Sequence, residues 1–218
     1  MGEAIRVLAI LALGLLLSAL VGVKYPSRYR KRLGLVLAIY AVSFVVWKWG
    51  GQVRSFQWEF LTTVLLAVFI FRGELKGIKL DFQTSGLLPS IAVAATLAIV
   101  VGWWSLANGG SPTGYSTFLK LNVLNGLVVA CALAPVVEEF LFRHVLFDEN
   151  STGLNLVSSG VFAAIHVLFS DRGFWGLLIL FVLAQWLVRV RANSGLISCI
   201  LVHSAYNLSL LLLELACQ

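Results

Sequence analysis

The sequence has little charge and little cysteine. Only 12% of its 218 residues are charged, whereas 60% are hydrophobic, and the mean hydropathy is +0.94. A soluble domain carries roughly 25% charged residues, so this composition excludes an ordinary soluble protein. The three cysteines show no C-x-x-C spacing, which argues against a disulfide framework and a structural zinc site. No regular alternation of apolar and polar residues is present, and this excludes a transmembrane barrel.

Long apolar runs occupy most of the chain instead. Runs of roughly 20 apolar residues predict membrane-spanning helices. We therefore expect an all-α polytopic bundle of about eight transmembrane helices, forming a single integral-membrane domain over residues 1–218. The first run lacks an A-x-A cleavage site, which favours a retained helix over a signal peptide. The predicted spans are Ile5–Val23, Leu33–Trp49, Phe56–Phe71, Leu87–Leu106, Thr117–Phe147, Leu154–Phe169, Phe174–Val190 and Leu196–Ala216.

Basic residues are concentrated in alternate loops. The first of these loops, Lys24–Arg32, holds five of them and no acid, and this set of loops holds 11 of the 16 lysines and arginines. The positive-inside rule places these loops in the cytoplasm and both termini outside. The net charge of +6 thus needs no nucleic-acid partner. The expected location is a bacterial cytoplasmic membrane, with the lipid bilayer as the surroundings of the protein.

Ionisable residues interrupt one apolar run, Pro135–Phe147, which reads P-V-V-E-E-F-L-F-R-H-V-L-F. Charged groups are costly in hydrocarbon, so they indicate a functional site by default. Glu139 and Arg143 have the i, i+4 spacing of an intrahelical ion pair. Glu138 points about 100° away from Glu139 on a helix with 3.6 residues per turn. We therefore expect Glu139 to neutralise Arg143 as structural support and Glu138 to face other groups.

Two later motifs offer those groups: F-x-x-x-H at Phe162–His166 and H-x-x-x-N at His203–Asn207. With a rise of 1.5 Å per residue, Glu138, both histidines and the asparagine all lie about 12–18 Å from the predicted cytoplasmic turns. This common depth predicts one shared site in mid-membrane. A carboxylate in low-dielectric surroundings and a histidine can activate water as general bases, while the other two polar side chains can stabilise an oxyanion. Phe162 is expected to orient the site.

Together, E-E-x-x-x-R, F-x-x-x-H and H-x-x-x-N in this order resemble the CPBP family. That family includes type II CAAX prenyl endopeptidases, bacteriocin-processing and immunity-type proteins, and other glutamic-type intramembrane proteases. The resemblance covers a motif-bearing core at about residues 119–212 and leaves residues 1–106 as accessory helices. It implies an endopeptidase acting on a membrane-associated protein or peptide. In that scheme Glu138 and His166 activate water, and His203 and Asn207 form the oxyanion site.

Three alternatives remain at the level of sequence. Glu138, His166 and His203 are candidate zinc ligands with an open position for water, although no H-E-x-x-H motif is present. Metal-free catalysis without a cofactor is the preferred expectation. A non-catalytic scaffold or immunity protein would keep the same fold. A transporter is disfavoured because neither internal repeats nor helices interrupted in mid-span are evident.

Overall fold

The computed structural model describes residues 27–49, 55–113, 123–169 and 173–217. Every regular element in these ranges is a helix, and no strand occurs among them. The predicted all-helical class is therefore confirmed. The first predicted span, Ile5–Val23, lies outside the described residues.

Seven numbered helices organise the described chain. Two of the apolar segments are long enough to cross a membrane, Leu87–Ala107 and Trp175–Ala216, and Glu59–Ile70 is a shorter apolar helix. The predicted number of eight spans is thus not confirmed. The helices are α1 (Ser27–Trp49), α2 (Ser55–Ile70), α3 (Arg72–Leu75), α4 (Leu87–Ala107), α5 (residues 123–145), α6 (Thr152–Phe169) and α7 (Gly173–Ala216).

Helix α5 changes its hydrogen-bond register three times. It begins with an α-helical turn, Val123–Gly126, and its longer α-helical part, Ala134–Phe140, lies between two π-helical segments, Leu127–Leu133 and Leu141–Val145. In a π-helix the carbonyl of residue i accepts from the N–H of residue i+5. Pro135 has no N–H, so it cannot donate a π-helical bond to the carbonyl of Ala130, five residues before it. The change of hydrogen-bond register thus coincides with the proline.

Helix α7 is broken at Gly195, the last residue of a turn predicted between two spans. This glycine has φ 90° and ψ 177°, a conformation available essentially to glycine alone. A Cβ atom there would lie 2.3 Å from the backbone oxygen of Asp81. The segment of residues 76–86 packs into the kink: the Asp81 carboxylate accepts from the Leu196 N–H at 3.2 Å, and the Gln83 N–H donates to the Ser194 carbonyl at 3.0 Å.

Polar contacts collect at one end of the helices. Arg32 pairs with the carboxylate of Glu74 and donates to the backbone oxygen of Val145 at 3.1 Å. Arg191 pairs with Asp81 at 3.0 Å. Burial alone would raise the pKa of Asp81, but the Leu196 N–H and the Arg191 guanidinium hold that pKa below its ordinary value. The loops predicted to share one face of the membrane are therefore brought together.

Candidate active site

Glu138 lies between two imidazoles. It is a partly buried residue of the α-helical part of α5, and its Oε2 atom is 3.3 Å from Nε2 of His166 on α6. The same oxygen is 3.6 Å from Nε2 of His203 on α7. It is buried and has no hydrogen-bond donor in good geometry among the described residues. Three helices thus bring the predicted carboxylate and both predicted histidines within reach of one shared proton or water.

Glu139 is completely buried on the other side of the His203 ring. Its Oε1 atom is 2.7 Å from Nδ1 of His203, and its Oε2 atom accepts from the Cys199 thiol at 3.0 Å. Arg143 Nε lies 3.5 Å from the same Oε2. The structure therefore brings Glu139 to Arg143, and it also gives Glu139 a contact with His203 that the sequence analysis did not predict.

The guanidinium of Arg143 is held from several directions. It is completely buried, donates through Nη2 to the Ala184 carbonyl at 3.0 Å, and lies 5.4 Å from the centre of the Phe162 ring. Its own backbone carbonyl accepts from Arg191 Nε at 3.0 Å. A buried cation is stable only when it is paired and hydrogen-bonded. Arg143 therefore connects α5 to both α6 and α7.

Phe162 packs against both imidazoles. Its ring centre lies 4.2 Å from that of His166, 5.7 Å from that of His203 and 5.3 Å from that of Phe142. The contacts with His203 and Phe142 fall in the range of favourable aromatic pairs, and the contact with His166 is closer still. A fully buried aromatic ring between two imidazoles restricts the orientations that either imidazole can take.

Hydrogen bonds at Nδ1 set the tautomers of both histidines. His166 Nδ1 lies 2.8 Å from the Phe162 carbonyl, which can only accept, so this nitrogen carries the proton. The Glu139 carboxylate has the same effect on Nδ1 of His203. When the rings are neutral, each Nε2 atom presents a lone pair towards Glu138 Oε2. In that form three acceptor atoms lie together, and a shared proton, a donating water or a cation would bind between them.

Asn207 and Cys199 flank His203 on the same face of α7, one turn after it and one turn before it. The Asn207 amide donates to the Ala130 carbonyl at 2.7 Å, five residues before Pro135, which has no N–H to donate to it. Cys199 is completely buried and also lies 3.2 Å from the Leu187 carbonyl. No role for this cysteine was predicted. Its i, i+4 spacing to His203 is the sequence feature that indicates a place in the site.

The alternative zinc ligands Glu138, His166 and His203 are the groups that converge here. Among the residues that the structure describes, no group of three or more His, Cys, Asp or Glu side chains has the arrangement of a metal site. Each of the two imidazoles nevertheless donates its Nδ1 proton to an oxygen, as metal-bound histidines usually do.

Comparison with known families points to the same part of the chain. Residues 120–209 match the family model described as Type II CAAX prenyl endopeptidase Rce1-like. This segment is therefore similar to an Rce1-like domain. The predicted resemblance to CPBP proteases is thereby confirmed. Rce1-like proteins are a membrane-embedded family of proteases. The chain matches no curated protein and no solved structure.

Proposed function

We propose that this protein is an intramembrane endopeptidase that hydrolyses a peptide bond of a membrane-associated protein or peptide. The observation that carries the proposal is the buried Glu138 Oε2 atom, 3.3 Å and 3.6 Å from the Nε2 atoms of His166 and His203. A base at this position is within the range in which one water can be bound and deprotonated. The similarity of residues 120–209 to a protease family supports the same reaction class.

The reaction begins with a water held by Glu138 and His166. Glu138 takes a proton from this water. At the same time the water oxygen bonds to the carbonyl carbon of the substrate. The carbonyl π electrons move to oxygen and give a tetrahedral oxyanion. When the C–N bond breaks, the proton held on Glu138 passes to the leaving amine, and the carboxylate is regenerated. One water is consumed for each peptide bond.

His203 and Asn207 are proposed to stabilise the oxyanion. Because Nδ1 of His203 faces Glu139, Nε2 can donate only when the ring is an imidazolium. The Asn207 amide has a second hydrogen besides the one donated to Ala130. These two groups come from one face of α7 and supply the donors that an oxyanion needs.

The test is the substitution Glu138→Gln. Membrane peptides that accumulate in cells with this variant, identified by mass spectrometry, supply a substrate for assays with the purified protein. We expect turnover to be abolished and substrate affinity to change little, because glutamine keeps the shape of the side chain but cannot take the proton. The matched control is Glu149→Gln, at an exposed residue, which should behave as wild type. A Glu138→Gln variant with wild-type turnover would overturn the proposal.

A zinc-dependent form of the same protease is the second candidate. The two histidines with oxygen-bound Nδ1 protons favour it, since this contact fixes the tautomer that binds metal. Glu138, His166 and His203 would hold the ion, which would supply an activated water. We expect chelators to have little effect on activity. Stoichiometric zinc in active protein, with activity lost on chelation and restored by zinc, would establish the metal-dependent mechanism instead.

A non-catalytic scaffold of the same fold makes a different prediction. Such a protein would cleave nothing when purified, and Glu138→Ala would still support its role in cells. Under our proposal this variant loses the cellular function together with turnover. Complementation by Glu138→Ala therefore separates the two functions even while the substrate is unidentified.

A further inference from the structure

A groove of about 290 Å³ lies between the start of α1 and the end of α2, away from the candidate active site. Four of its residues come from α1 and occur at positions i, i+3, i+4 and i+7, so they share one helix face. The remainder come from the end of α2, from α3 and from Phe71 between them. The lining residues are Arg28, Lys31, Arg32, Leu35, Ile70, Phe71, Gly73 and Glu74.

Polarity changes along this groove in one direction. On α1 the three cations come first, and Leu35 follows one turn further into the helix. Across the groove, Ile70 and Phe71 supply apolar surface beside it. The groove is therefore cationic at one end and apolar along its side. This pattern is complementary to an amphiphile with an anionic head and a hydrocarbon chain.

The cations of the groove outnumber its acids. Glu74 is the single acid of this lining, against three basic residues. It pairs with Arg32, whose side chain is only 11% exposed. Arg28 lies 3.8 Å from the same carboxylate but is 70% exposed, and Lys31 is exposed as well. Arg32 is therefore held by the protein, while Arg28 and Lys31 remain accessible to an anionic ligand.

We propose that this groove binds an anionic phospholipid, with the headgroup phosphate at Arg28 and Lys31 and an acyl chain along Leu35 and Ile70. Clusters of basic residues next to membrane helices attract anionic lipids of the cytoplasmic leaflet. The groove belongs to the end of the molecule that the loop charges assign to the cytoplasm. This inference concerns a lipid site and does not depend on the proposed peptidase activity.

Contacts connect the groove to the helix that carries Glu138. Arg32 donates to the Val145 carbonyl at 3.1 Å, and His144 Nε2 lies 3.4 Å from the Glu74 backbone oxygen. Phe71 meets Phe140 edge-on, with ring centres 6.5 Å apart. A lipid that fixes the walls of the groove would therefore stabilise the end of α5.

The experiment measures lipid binding to the full-length protein in detergent by native mass spectrometry, with phosphatidylglycerol and phosphatidylcholine as probes. The variant Arg28→Gln/Lys31→Gln is compared with Arg30→Gln/Lys79→Gln, which removes the same charge from exposed residues outside the groove. Wild type should prefer phosphatidylglycerol. The groove variant should lose about thirtyfold in affinity, at roughly fivefold per interfacial cation, and the control variant far less. Equal losses in both variants would overturn the site.

Further probes identify the source of the anionic group. Leu35→Asn should weaken binding of phosphatidylglycerol without changing the net charge. Inorganic phosphate and glycerol 1-phosphate should not displace the lipid, because neither contributes an acyl chain. Displacement by either at the lipid's own concentration would reduce the groove to a simple anion site and overturn the proposal. Preferential binding of a soluble acidic peptide would overturn it too.

Discussion

At the scale of single residues, Glu139 determines the orientation of its neighbours. Its carboxylate contacts His203, Cys199 and Arg143, and both members of the Arg143 pair are completely buried. Removal of one partner from a buried pair costs about 3–5 kcal/mol, because the remaining charge is left without compensation. We therefore expect Glu139→Gln to lower the free energy of unfolding by about that amount.

Chemical unfolding of the purified protein in detergent measures this loss. Glu149→Gln is the matched control, since Glu149 is exposed. Surface substitutions usually change stability by no more than about 0.5 kcal/mol, so this variant should unfold close to wild type. Equal stability of Glu139→Gln and wild type would show that the buried carboxylate does not hold Arg143.

Residue patterns predicted which side chains would meet, but not through which atoms. Equal depth on three helices was enough to place Glu138 near His166 and His203. The i, i+4 rule assigned Glu139 to Arg143, because it describes contacts within one helix. The bond from Glu139 to His203 runs between helices, and its existence depends on how α5 and α7 pack. No spacing in the sequence carries that information.

At the scale of helical elements, the π-helical segment Leu127–Leu133 of α5 allows a test of the two roles of Asn207, oxyanion donor and helix support. Its amide satisfies the Ala130 carbonyl, which Pro135 cannot reach because it lacks an N–H. Asn207→Ala should lower kcat by about 10²–10³, as the loss of an oxyanion donor does. It should also lower stability by about 1–3 kcal/mol through the unsatisfied carbonyl.

The second substitution Pro135→Ala separates these two effects. Alanine restores an N–H five residues after Ala130, so Pro135→Ala/Asn207→Ala should recover stability relative to Asn207→Ala alone. Its kcat should stay low, because no oxyanion donor returns. Steady-state kinetics and thermal unfolding of the four proteins in this cycle provide the measurement. A recovered kcat would mean that Asn207 acts only by supporting α5.

The kink in α7 is a second element whose geometry can be tested. Gly195 has φ 90° and faces the Asp81 backbone at a distance that excludes a Cβ. Backbone strain alone would destabilise Gly195→Ala by about 1–3 kcal/mol. We expect a larger loss, because the new Cβ would also clash with the Asp81 backbone. Gly34→Ala, in the interior of α1 with open space around it, should instead stabilise by about 0.5–1 kcal/mol. Thermal unfolding of both variants is the measurement, and equal effects would contradict the close packing at Gly195.

The sequence predicted where helices begin and end more accurately than it predicted irregularities within them. Apolar runs located α4 and α6 to within a few residues, because long stretches without charge leave few alternatives. The π segments were not predicted. They depend on tertiary contacts such as the one between Asn207 and Ala130, and no local propensity encodes them.

At the scale of the whole molecule, the polar contacts divide into two ends. One end holds Arg32 with Glu74 and Arg191 with Asp81. At the other end Glu214 accepts from Ser111 at 2.5 Å and from the Thr113 N–H at 3.1 Å, near the end of α7. The basic loops gather at the first end, which the positive-inside rule places in the cytoplasm.

This orientation predicts which cysteines an impermeant maleimide can reach. Cys217 is exposed at the end of α7, close in sequence to Glu214, whereas Cys199 is buried and Cys131 is partly buried in α5. In right-side-out vesicles the reagent should therefore label Cys217. Arg28→Cys should add a second label only after the membrane is permeabilised, because position 28 lies at the basic end. Labelling of Arg28→Cys in intact vesicles, with Cys217 protected, would reverse the orientation and move the proposed lipid groove to the outer leaflet.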